Sequence, residues 1–218
     1  MSKKLLFSVS LLCVVTLAVG IYFLTRSPQE SLVVEPVTTA TSTPGVATTT
    51  STVPSQNISV DTPDFAKPIT FDSSISADTR TQLTSSLKMV QKKLTTNPLD
   101  MAAWINLGTL YKQGGDYQGA VAAWSFVAQA LPTNVTAHFN LGDLYLNFLK
   151  DYPKAEKSFI IVTEQNPRIV DAYVNLFYLY HDFTKNDAKA ASILAQGLKA
   201  NPGNPILLDL EAQYKANK

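Results

Sequence analysis

The stretch NPLDMAAWINLGTLYKQGGDYQGAVAAW, residues 97–124, decides how this chain folds. Trp104, Leu107, Gly108 and Tyr111 are spaced by three and four, so they share one face of a helix, and so apolar a face must be buried. Gly108 and Ala120 are the small residues where two antiparallel helices come closest, and Trp104 and Trp124 fill the space beside that contact. Gly114, Gly115 and Asp116 end the first helix and start the second. Pro132 then stops the second helix, because proline cannot continue the hydrogen-bond ladder.

The phrase returns. Pro98, Pro132, Pro167 and Pro202 recur at nearly constant intervals, three of them after Asn, and each is followed by an apolar-periodic helix. The second copy carries His138, Leu141, Gly142 and Tyr145, then Ala155 and Phe159, with one extra residue between its helices. The third carries Tyr173, Leu176, Tyr180, Ala190 and Leu194, with Phe177 where the glycine is expected, so its helix pair should pack more widely or shift. Leu83, Leu87, Val90 and Leu94 make an amphipathic helix upstream, and PILLDLEAQYKA makes another downstream.

This pattern resembles the tetratricopeptide repeat (TPR), W-x2-L-G-x2-Y, A-x3-F, P, with Trp124 in place of Phe. The resemblance implies an all-α fold, a right-handed superhelical stack of antiparallel helix pairs. Its repeats run over about 101–134, 135–169 and 170–204, with capping helices over about 76–96 and 204–216 that keep the outermost apolar faces from solvent.

It also implies a binding groove lined by the first helix of each pair. With the Trp, Leu, Gly and Tyr face buried, the adjoining face offers Ile105, Thr109 and Lys112 in the first repeat. Phe139, Asp143 and Leu146 follow in the second, and Val174, Tyr178 and His181 in the third, with Asp171 as a further acidic point. A TPR subclass clamps acidic C-termini with Lys, Asn and Arg at these places; Ile105, Phe139, Val174 and Asp143 argue against such a clamp here. The groove suits a helix or extended peptide with apolar side chains and room for a Lys or Arg. Asn106, Asn140 and Asn175 recur in one register, either to hold a partner's backbone or, the preferred reading, to bond neighbouring helices.

Composition sets the rest. A formal net charge of +1 gives no field that would draw in nucleic acid. Leu5 to Leu24 is an uncharged run long enough to cross a hydrocarbon core of about 30 Å as a helix. Ala18 and Gly20 offer a weak cleavage signature for a signal peptide, but the apolar run continues past them, which favours a retained anchor over residues 1–26. Lys3 and Lys4 before the run place the N-terminus in the cytoplasm and the remainder across the membrane. Cys13, the single cysteine, excludes an intrachain disulfide, and Leu12 before it is too bulky for a lipid-attachment motif.

Residues 27–74 are rich in Thr, Ser and Pro and read as a disordered linker ahead of a repeat domain over 75–218. Asn57 and Asn134 fit the N-glycosylation pattern. Within the linker, Phe65, Ile69 and Phe71 offer anchors by which 60–71 would dock on the domain instead. No catalytic pair, cofactor motif or metal-ligand cluster is visible: His138 occupies the packing position of Trp104 and Tyr173, and His181 has no nucleophile beside it. Anchor, linker and repeats together lead us to expect a tethered adaptor that scaffolds an assembly in a bacterial envelope by binding a protein or peptide. A self-associating structural subunit, a homo-oligomer, is the alternative, and a cell-envelope enzyme the remotest.

Overall fold

The computed structural model describes residues 62–216, all within one compact unit, Ser55–Lys218. The expected membrane anchor and the linker as far as residue 61 lie outside the described residues. Among the described residues there are eight α-helices and no strand. They are α1 (Ala77–Thr96), α2 (Met101–Gly114), α3 (Tyr117–Ala130), α4 (Val135–Leu144), α5 (Tyr152–Gln165), α6 (Val170–Tyr178), α7 (Asp187–Ala200) and α8 (Pro205–Ala216). A π-helical turn extends α4 over Tyr145–Leu149 and α6 over Leu179–Phe183.

Local chemistry starts these helices. Ser76, Asp100, Asp116, Asn134, Asp151 and Asn186 each accept a hydrogen bond from the backbone amide three residues on, which satisfies one of the free donors of the first turn. Asn204 does the same for Leu207. Helix α6 is the exception: Ile169 stands at its cap and bonds nothing through its side chain. Between pairs, the side chains of Asn97 and Asn166 accept from the amides of Leu99 and Arg168, closing the turn around the proline.

Consecutive helices pack along the chain around two apolar clusters. One gathers α1 to α4 about Trp104, Trp124 and Phe126; the other gathers α4 to α8 about Phe159, Leu176 and Leu179. The residues expected to join the helices are buried, with Tyr145 half-buried. A Cβ on Gly142 would lie 2.8 Å from the Phe159 ring, and one on Gly108 would run into the Trp124 indole. At the third copy Phe177 is buried in the second cluster and turns its ring edge-on to Tyr214 of α8, 5.4 Å between centroids. The α6–α7 pair has a close approach of its own at Gly197, where a Cβ would lie 3.0 Å from Tyr173.

One feature recurs without recurring in sequence. The carbonyl of the proline before each pair receives a side-chain donor: Pro98 from the Trp104 indole at 2.8 Å, Pro132 from His138 Nε2 at 2.9 Å. A carbonyl only accepts, so Nε2 of His138 carries the proton. Tyr173 has no ring N–H, and the third carbonyl, Pro167, is met from the opposite side by the Asn201 amide at 2.9 Å.

The corners between paired helices share a second constant. The amide of the next helix's cap residue bonds a tyrosine carbonyl: Asp116 to Tyr111, Asp151 to Tyr145, Asn186 to Tyr180. The first loop spans five residues and the other two six, so the extra residue is taken up by the wider π turn. Each corner reverses through one left-handed residue: Gly115 at φ 85°, Lys150 at 56° and Lys185 at 53°. The π turns also project Phe148 and Phe183 onto the first aromatic residue of the preceding helix, Tyr117 and Tyr152, at 4.9 and 5.2 Å.

The last part of the expected linker is ordered against the helices. Residues 63–74 form an extended strap along α2, with Ile69 buried against Gly114 and Phe65 edge-on to Trp104 at 5.9 Å. Tyr111 donates its hydroxyl to the Lys67 carbonyl at 2.8 Å, the Thr70 amide bonds Asp116, and the Asp72 amide bonds the Gly114 carbonyl. Arg80 ties the strap's end to α1 through the carbonyls of Asp72, Ser73 and Ile75. Composition marked this segment as linker, yet three apolar anchors and these long-range bonds offset the entropy of ordering it.

Candidate interaction surface

Helices α2, α4 and α6 carry the residues expected to line a groove, and the structure sorts them. Ile105 is half-buried against the first cluster, and its carbonyl accepts both the Trp124 indole at 3.0 Å and the Thr109 hydroxyl at 3.1 Å. Thr109 is thus turned back on its own helix. Lys112 forms an ion pair with Asp143 of α4 and lies 4.9 Å above the Phe148 ring. Asp143 also accepts the Asn147 amide at 2.7 Å, so neither charge of this pair is left for a ligand. Leu146 is only 2% exposed and belongs to the core, not to a surface.

Further along, the surface opens. Phe139 is half-buried, edge-on to Phe159 at 5.7 Å, and Val174 is half-buried beside it in the second cluster. A cavity of about 260 Å³ opens to solvent here, lined by Val135, Thr136, Phe139, Asn140, Ile169 and Asp171. Tyr178 is 40% exposed. Its burial, then the carboxylates of Asp182 and Asp209, push its hydroxyl above the usual tyrosine range. His181 is stacked on Phe177 at 5.4 Å, bonds Asp182 at 2.6 Å and has Tyr214 against its edge. It is held on three sides and acts as a packing residue.

Val135, Thr136, Ile169 and Asp209 escaped the sequence reading. One signal was available for Ile169: it breaks the run of Asp and Asn at helix starts, and its side chain lines the cavity in place of capping α6. Asn106, Asn140 and Asn175 form no side-chain hydrogen bond with other described residues, contrary to the preferred expectation that they bond neighbouring helices.

Among the described residues no helix is long and apolar enough to cross a membrane, and no group of three or more His, Cys, Asp or Glu side chains converges as a metal site. Comparison with protein-family models and with curated proteins gives no match to this chain. The structure defines an all-helical, repeat-like class of paired helices, with one solvent-open cavity lined by α4 and the start of α6 and another lined by the strap, α2 and α3.

Proposed function

We propose that the paired helices are tetratricopeptide repeats, and that the chain is a membrane-tethered adaptor binding a protein or peptide on the extracytoplasmic side. The observation that carries the reading is the face of α4 and α6: a cavity at Phe139 and Ile169 beside the Asn140 amide, which bonds no other described residue. Apolar lining with a few unmatched polar groups is what a peptide main chain and its side chains require. The glycine-to-aromatic contacts at Gly108 and Gly142, and the donors to Pro98 and Pro132, support the repeat assignment. Leu5 to Leu24, with Lys3 and Lys4 before it, supports a retained anchor with the N-terminus in the cytoplasm.

The test uses the full chain in cells of its own organism, with a photoreactive residue at Tyr178. A discrete crosslinked partner, lost when Phe139→Glu puts a charge in the cavity, is the expected result. Crosslinks that ignore Phe139→Glu would count against it. Protease added to intact spheroplasts should digest the helical unit, and protection would overturn the topology.

A second reading rests on α8, where Ile206 and Leu208 are 41% and 46% exposed at the end of the row of helices. There the unit would associate edge to edge with another copy. Light scattering of the full chain in detergent distinguishes it: a dimer that Leu208→Glu dissociates supports association, and a monomer excludes it.

A further inference from the structure

The charges along the candidate face are not evenly spent. At the α2 end Lys112 and Asp143 neutralise each other, and Asn147 takes up the second carboxylate oxygen. At the α6 end Asp171 stands exposed at the rim of the cavity and forms no ion pair with the described residues, even though Arg168 is three residues away. No lysine or arginine lines that cavity. Asp209 and Asp182 add negative charge around the exposed Tyr178, Asp182 being shared with His181 and Asp209 with the Gln213 amide. An occupant therefore meets an apolar floor, an Asn140 amide that bonds no other described residue, and a carboxylate in the first turn of α6 with no cationic side chain among the cavity-lining residues.

Ile169 points the same way. Asp100, Asn134 and Asn204 start the equivalent helices with a side-chain cap that satisfies a free amide of the first turn. At Ile169 that bond is given up and the cavity gains an apolar wall. A polar cap there would have filled the site's entrance with a second acceptor.

Resting on the reading of this face as a protein-binding surface, we infer that its partner is a basic-apolar peptide segment. A Leu, Ile, Met or Phe side chain fills the cavity between Phe139 and Ile169, and a Lys or Arg within two residues of it pairs with Asp171. Asn140 bonds the peptide backbone between them. The contact with Asp171 is exposed, so it sets selectivity and salt dependence more than total affinity, which the cavity supplies.

The experiment pans a random dodecapeptide phage library on the full-length protein in lipid nanodiscs. Enriched sequences are then synthesised with a fluorescein label and titrated by anisotropy. Expected are peptides with Lys or Arg within two residues of a large apolar side chain. Phe139→Glu should weaken their binding more than about tenfold, and Asp171→Asn about three- to fivefold at low salt, with the difference shrinking at high salt. Asp171→Lys should turn the selection toward acidic peptides. Thermal melts of each variant guard against loss of folding, and Asp171 is exposed enough that its substitutions should leave the melt nearly unchanged.

Peptides that depend on Phe139 but lack basic residues, or that ignore both Asp171 variants, overturn this inference and leave the binding surface standing. Selection of a sequence from the chain itself would make the occupant a second copy, and also overturns it. Peptides indifferent to Phe139→Glu, or no enrichment at all, overturn both readings.

Discussion

A methyl group added to Gly108 has nowhere to go. Alanine in a helix interior is worth about 1 kcal/mol over glycine, but here its Cβ meets an indole that is buried and tied by its N–H to the Ile105 carbonyl. Overpacking a fixed neighbour costs about 1–3 kcal/mol, so Gly108→Ala should lower stability by about 0–2 kcal/mol net in urea denaturation. A gain would show that Trp124 can yield. Tyr111 makes a pH-dependent contribution from the same helix. Burial, then Asp116 and Asp64, raise its hydroxyl to about 12. A raised value means that the stability it contributes is intact below the unfolded tyrosine value of about 10 and is lost as pH climbs through about 12. Tyr111→Phe removes the bond to Lys67 and should cost about 1 kcal/mol at pH 8. Its denaturation midpoint should then fall less steeply than the natural chain's above pH 10, with Tyr180 leaving a residual slope because burial and Glu156 raise it too.

At the scale of elements, the corners show how one extra residue is absorbed without moving the next helix. The bond from the cap amide to the tyrosine carbonyl is kept at 2.9, 2.9 and 2.7 Å, and the backbone between widens into a π turn. Two of the three reversals nevertheless place a lysine where φ is positive, at a cost of about 1 kcal/mol or more relative to glycine. Lys185 is the cleaner case, since Lys150 recovers something from lying 5.6 Å over the Phe183 ring. Lys185→Gly should therefore raise the denaturation midpoint by about 0.5–1 kcal/mol, and Lys150→Gly by less. Equal effects would mean that the Phe183 contact contributes nothing.

For the whole helical unit, the consequential element is the strap. It lies along the Trp104–Tyr111 edge of α2 and covers apolar surface there. Ile69→Ala should cost about 2 kcal/mol, at the low end for a buried isoleucine because the site is near the surface. Hydrogen exchange at the Thr70 and Asp72 amides should speed up, and exchange in α7 should not, because that helix belongs to the second cluster. If both ends exchange faster together, the strap is part of one cooperative core rather than a separately opening seal.

Much of the helical plan was legible beforehand because the signals are local. Trp104, Leu107, Gly108 and Tyr111 state a buried face by spacing alone, and Asp116 or Asn134 caps a helix through an amide only three residues away. What tertiary structure alone decided depends on partners distant in the chain. Asn201 takes the place of a missing ring donor 34 residues away, at Pro167. Lys112 reaches Asp143 and withdraws both from the open face. Residues 63–74 look too polar to order until Gly114, Asp116 and Tyr111 present matching partners. Periodicity sets which face of a helix is buried; which of the remaining side chains find each other, and which stay free for a partner, is settled only when the helices are side by side.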